Sequence, residues 1–425
     1  MLRKYHISAL SGLIAIIFLS LTATAQDNWT HFRGSNLDAL AAKTKVPLAW
    51  NENEKWKTAI HGRGHSSPVV FGNQIWLTTG IPEGKELYAV CVDFQTGKVI
   101  HDIKIFTPAE TGGKHSINTF ASPTPCIEKG FVYVHFGSMG TACISTGDGK
   151  VVWKREDYKM RHVQGPGSSP VLYKNLLILH FEGTDTRIIV GLDKATGKEI
   201  WRAVRPEEPY QALTNIAKKA YITPLFINVK GRHQMISVGS AVCSAYDPMT
   251  GNEIWRVVRG AESTVSMPVY ENGVVYFYTG FMKDENGATF TEILAVNPDG
   301  KGDITATNVL WKKRDDQSTN QISSPLIRDG LIYTVTTRNI MNCIDAATGQ
   351  EVWTERMKAN FNASPIYADG NVWFFSIRGE VLALKPGRKY EVAVQYQMDS
   401  GIWGTPAFLR NSVIVRTEGY LYRIG

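Results

Sequence analysis

Cysteine is scarce in this chain and its count is odd: 425 residues hold five, no two adjacent, with Cys126 and Cys143 the nearest pair. An odd count leaves at least one free thiol, and nothing in the spacing reads as a disulfide framework or a metal cluster. There is no Cys-x-x-Cys-His haem motif and no Gly-x-Ser-x-Gly elbow. The Gly-rich segment Gly165-Pro166-Gly167 precedes an apolar run of strand type rather than a helix, so acyl transfer and phosphate cradling lack support. No run of Lys and Arg accompanies the net charge of +7, which argues against a nucleic-acid partner. The apolar stretch from Leu13 to Leu21 is too short for a transmembrane segment. With Arg3 and Lys4 before it and Ala23 and Ala25 after it, residues 1–25 read as a signal peptide cleaved near Ala25. Its removal takes away Arg3 and Lys4, lowering +7 to +5, and leaves an exported protein, periplasmic or secreted. No Cys follows the stretch, so a lipid anchor of the bacterial lipoprotein kind is not expected.

What the chain has in abundance is one phrase, Asp-x-x-Thr-Gly-x-x-x-Trp. It stands at Asp193, Thr196, Gly197 and Trp201, at Asp247, Thr250, Gly251 and Trp255, and at Asp345, Thr348, Gly349 and Trp353. Weaker copies have His101 in the Trp place after Asp93, Thr96 and Gly97, and Ser145 and Asp148 ahead of Trp153. A small residue followed by Pro runs alongside, at Pro68, Pro123, Pro170, Pro224, Pro268, Pro325, Pro365 and Pro406, about 48 residues apart on average. Each Pro opens two short apolar runs joined by a turn such as Gly72-Asn73 or Asp329-Gly330, the pattern of a β-hairpin. A third strand enters the Asp-x-x-Thr-Gly turn and the Trp strand completes four. Four short antiparallel strands in each of eight units predict an all-β, eight-bladed β-propeller.

The eighth unit ends at Gly425 without a Trp strand, and Trp56 supplies it. Trp56 precedes Pro68 by the same interval as Trp353 precedes Pro365. The expected organisation is therefore a signal peptide over 1–25, an N-terminal arm over 26–45 and a single propeller over 46–425, its ring closed by an N-terminal strand that removes a free sheet edge. The Trp residues at 56, 153, 201, 255, 311 and 353 recur at blade period and are assigned to blade docking. Cys91, Cys143 and Cys343 share one register and read as a small buried core position.

Binding residues are expected where the outer strand of one blade crosses to the inner strand of the next, since such loops sit on a rigid frame around the channel mouth. Those loops carry Arg63 and His65, His115 and Asn118, His162 and Gln164, Tyr221, Glu262, Asn320 and Gln321, Asn360 and Asn362, and Trp403. The ligand-binding candidates are Arg63, His65, His115, His162, Glu262 and Trp403, with no catalytic and no metal-ligating residue. His115 and His162 lie eight residues before Pro123 and Pro170, and His61 seven before Pro68. Three imidazoles could serve zinc or copper, but equal register places them on neighbouring spokes, too far apart for bonds of about 2 Å.

These residues also carry a resemblance. The small-Pro hairpin followed by Asp-x-x-Thr-Gly-x-x-x-Trp is similar to the repeat of the pyrroloquinoline-quinone-type propellers, over roughly residues 46–425. The segments around Trp29, Phe32, Arg33 and Gly34, around Gly64 to Pro68, and at His135-Phe136-Gly137 resemble secreted members without a known activity. The family also contains quinoprotein alcohol dehydrogenases and the propeller lipoprotein of outer-membrane assembly. The dehydrogenase resemblance implies a quinone in the channel, calcium held by Glu and Asn, an Asp base and a disulfide between adjacent cysteines. Glu262 and Asn320 could be drafted as calcium ligands, yet the adjacent cysteines are missing. The expectation is a non-catalytic interaction scaffold in the cell envelope, monomeric, with an envelope protein or a polysaccharide as partner and no cofactor. The alternatives are an oxidoreductase binding pyrroloquinoline quinone and a propeller binding a polysaccharide or small ligand.

Overall fold

A computed structural model describes residues 27–316 and 321–425; the signal-peptide reading over 1–25 and Asn320 fall outside them. Eight antiparallel sheets of four principal strands form the ring. The first blade comprises Val69–Phe71, Gln74–Gly80, Leu87–Asp93 and Val99–Phe106 from the channel outwards, and the others repeat this order. Blade 8 joins Ala407–Leu409, Ser412–Arg416 and Tyr420–Ile424 to the N-terminal strand Glu54–Ala59, with Trp56 opposite Arg423 and Ala59 opposite Tyr420. Trp56 therefore closes the ring.

Local chemistry explains the repeat. In blade 3 the Asp193 Oδ1 accepts from Thr196 N (2.9 Å) and Thr196 Oγ1 (2.8 Å), while Gly197 takes φ +72. A β-carbon on Gly197 would stand 2.8 Å from the Trp153 ring of blade 2, so the glycine makes room for the neighbour's Trp. The same approach joins Trp56 to Gly97, Trp201 to Gly251 and Trp311 to Gly349, and His101 takes the Trp place against Gly149. Trp56, Trp153, Trp311 and Trp353 also donate Nε1–H to a carbonyl of the next blade, at Phe94, Lys194, Ala346 and Gly387. Trp255 instead donates to Gln234 Oε1 of its own blade. There the segment Gly302–Asp303 adds a parallel strand outside blade 4, an addition that nothing in the repeat foretells. All five cysteines are free and buried.

One marker is corrected. The inner strand of blade 2 is Cys126–Glu128, so Thr124-Pro125, not Ser122-Pro123, is the equivalent of Ser67-Pro68. The reason is visible in a belt of hydrogen bonds around the channel. Ser67 N–H donates to Thr124 Oγ1, Thr124 N–H to Ser169 Oγ and Ser169 N–H to Thr223 Oγ1. A second arc runs from Met267 N–H to Ser324 Oγ, then to Ser364 Oγ and Thr405 Oγ1. The arcs part at Met267, which has no hydroxyl to offer, and again between Thr405 and Ser67.

The chain ahead of blade 8 crosses the end of the channel on the side of the inner hairpin turns. Trp29 pairs with Val70 of blade 1, Thr30 O accepts from Ile127 N of blade 2, Arg33 donates to Pro325 O of blade 6 (2.6 Å), and Leu40–Ala41 pairs in parallel with blade 7. This arm leaves the opposite mouth as the open end.

Candidate functional site

The open mouth is a cavity of about 430 Å³, bordered by His65, His115, Asn118, Gln164, Tyr221 and Trp403 together with Ile117, Val265, Ile322, Thr337 and Asn362. Below it a chamber of about 120 Å³ is ringed by the Ser/Thr belt and reaches Phe32 of the N-terminal arm. Apolar walls with a few fixed polar groups are the ordinary composition of a small-ligand site.

Backbone economy places the side chains. Gly62, at φ +70, lets Arg63 pair with Gly80, and the next turn sends His65 inward with its N–H on Ala121 O (3.1 Å). Gly404 lies so near His65 O that a β-carbon would stand 2.9 Å away. Trp403 is thereby brought flat against His65, ring centroids 4.6 Å apart and planes 6° from parallel. Burial, helped by Arg416, Arg63 and Lys114, pushes the His65 pKa down to about 3, so the imidazole is neutral and cannot serve as a physiological proton switch. Across the mouth Asn118 donates to Gln164 O (2.7 Å) and Pro166 O (3.1 Å), and Tyr221 donates to Gln164 Oε1 (3.1 Å). Trp403 Nε1–H is buried without an acceptor among the described residues, on the side of Gly401.

The six candidates do not all converge. His65, His115 and Trp403 share the mouth. Arg63 borders an adjoining hole of about 10 Å³, together with His65, Trp403, Arg416 and Glu418. His162 turns into a separate surface cavity of about 580 Å³ with Ser138, Lys159 and Asp185. Its Nε2 accepts from Ser138 N–H (3.1 Å), and burial lowers its pKa to about 4. Glu262 pairs through its backbone with Phe281 and lies near Lys219, outside the lining of the mouth. His61 meets Asp102 (2.9 Å), so the three imidazoles do not gather, and no cluster of metal-ligating side chains occurs among the described residues. Tyr221 and Asn118, named with the crossing loops but not among the six, line the mouth, while Arg416, on a strand rather than a loop, borders the adjoining hole.

Calcium with a quinone does not suit this lining. Among the described residues no carboxylate borders the mouth, whereas calcium takes six to eight oxygen ligands with carboxylates among them. One face of Trp403 is already covered by His65.

The family model that matches is described as outer membrane protein assembly factor BamB, over residues 185–339, 238–386 and 337–423, together more than half of the chain. The outer membrane protein assembly factor BamB of Yersinia pestis is 21% identical over 277 residues, 55% of this chain and 68% of that protein. The dehydrogenase subunit of a quinone alcohol dehydrogenase from Gluconacetobacter polyoxogenes is 25% identical over 140 residues, 28% of this chain but only 19% of that subunit. Among solved structures, the quinohemoprotein alcohol dehydrogenase of Comamonas testosteroni superposes with TM-score 0.68 at 11% identity, covering 95% of this chain and 81% of that one. BamB of Moraxella catarrhalis gives 0.59 at 10%, covering 88% and 99%. These likenesses show the fold. No helix among the described residues is long and apolar enough to cross a membrane.

Proposed function

The chain belongs to the propeller family described as outer membrane protein assembly factor BamB, and from that membership we propose that it is a non-catalytic binding scaffold of the cell envelope, its channel mouth being the surface that receives the partner. The observation that carries this reading is the lining itself. Among the described residues, amide, hydroxyl, imidazole and aromatic groups face the cavity without a carboxylate, and the imidazole most deeply placed, His65, is held neutral and stacked. Such a wall can donate and accept hydrogen bonds and stack on a guest, yet it offers no poised acid or base pair. Fold alone favours no chemistry over this.

The test is capture of partners from an envelope extract by the protein and by a His65→Ala/Trp403→Ala variant. Both substitutions face the mouth, so the fold should persist while capture is lost; undiminished capture would move the interaction to the blade edges. In parallel, pyrroloquinoline quinone with calcium should leave the melting temperature unmoved. Tight binding would raise stability by about 2.7 kcal/mol at a hundredfold excess over Kd, and a clear shift would replace this reading with the oxidoreductase one.

A further inference from the structure

Blades 8 and 1 meet around Arg416, the last residue of Ser412–Arg416. Its side chain is buried, 3% exposed, and Nη1 donates to Ser66 Oγ (2.7 Å), Thr78 O (2.8 Å) and Ser66 O (3.2 Å). All three acceptors are uncharged. Burial pulls the guanidinium pKa down to about 9, with no carboxylate acting in the other direction. A buried cation held only by neutral groups keeps an uncompensated charge, and buried charges ordinarily have a counter-ion. Gly64 admits Arg416 here, because a β-carbon on it would stand 2.5 Å from Nη2.

A second arginine, Arg63, lies along the same space. Arg63 and Arg416 border the same hole of about 10 Å³, behind the His65–Trp403 stack. That volume holds about one water-sized species. Glu418, exposed at the rim of the hole, is the one acidic residue of the lining.

We propose that this hole is an anion site, taking a small monovalent anion between Arg416 and Arg63: a halide ion, or the carboxylate group of a larger ligand. The anion supplies the counter-charge that Arg416 lacks, and charge-assisted N–H donation from two guanidinium groups holds it. The site does not depend on the channel-mouth reading, since the stacked pair separates the two spaces.

Chloride-35 NMR linewidth on the whole protein tests the proposal, with acetate as competitor. The protein should broaden the chloride line beyond a control with no such site. Arg63→Gln, at an exposed side chain, should weaken binding about tenfold through loss of one charged donor, and Arg416→Gln should remove the excess broadening. Glu418→Gln, which takes a negative charge from the rim, should tighten binding severalfold. Displacement by acetate shows that the site takes a carboxylate as well as a halide; broadening that acetate leaves intact restricts it to a halide. Should Arg416→Gln fail to fold, Arg63→Gln and Glu418→Gln carry the test. Linewidths indifferent to both of these substitutions, or no excess broadening in the unaltered protein, would overturn the site.

Discussion

Arg205 and Glu182 are wholly shielded from water and meet through two charged hydrogen bonds of 2.7 and 2.8 Å. Removing one partner strands the other, so Arg205→Met or Glu182→Leu alone should lower stability by about 3–5 kcal/mol, while the two together should cost far less. Urea midpoints of the three variants check this. Histidines supply a pH dependence. Burial lowers the pKa of His31 to about 4, His135 to about 3 and His162 to about 4. Unfolded imidazoles titrate near 6.5, so between pH 6.5 and about 4 the unfolded chain binds protons that the folded one refuses, and stability falls as the pH falls. Each of the three should contribute up to about 1.4 kcal/mol per pH unit in that window; a melting temperature flat from pH 7 to 4.5 would contradict it. Single residues were also where sequence reasoning strayed. His115 and His162 share a register only if blade 2 starts at Pro123. The belt hydroxyl of Thr124 anchors that blade at Pro125 instead, which puts His115 two residues further from its strand; the two segments still touch, His115 N–H donating to Gln164 O (3.2 Å), but the imidazoles border different cavities. Spacing to a marker cannot tell two neighbouring prolines apart when hydrogen bonds to another blade choose between them.

At the scale of the strand and turn the sequence was far more legible, because the relevant chemistry is local. An Asp that bonds the Thr three residues on, and a Gly that must take positive φ, act within five residues of one another. Hairpins through Asp329-Gly330 likewise require positive φ at both positions, and both have it. The strand Gly302–Asp303 outside blade 4 was not legible, since its partner Trp255 is remote in sequence and two residues carry no periodicity. Blade-to-blade coupling yields two predictions. Trp153→Ala empties the contact with Gly197 and should cost about 3–5 kcal/mol in denaturant unfolding. Ser364→Ala removes one acceptor of the channel belt and should cost about 1 kcal/mol, a threefold or greater gap that separates packing from hydrogen bonding as the chief bond between blades.

For the molecule as a whole, the pairing of Glu54–Ala59 with Tyr420–Ile424 decides whether there is a ring at all. Deleting the chain through residue 60 should expose an unpaired edge and lower the melting temperature sharply; a truncated protein as stable as the intact one would contradict closure. The four principal strands of each of blades 1 to 7 are contiguous in sequence and can assemble from local contacts, whereas blade 8 joins residues separated by almost the whole chain, the kind of contact that forms late. The N-terminal strand must therefore wait, unpaired, until the far end has been delivered. A chain cut short at Tyr420 by a premature stop or a protease would hold seven good sheets and still never lock. The clasp thus acts as a test of length, letting the last few residues decide whether the preceding four hundred persist in the native state.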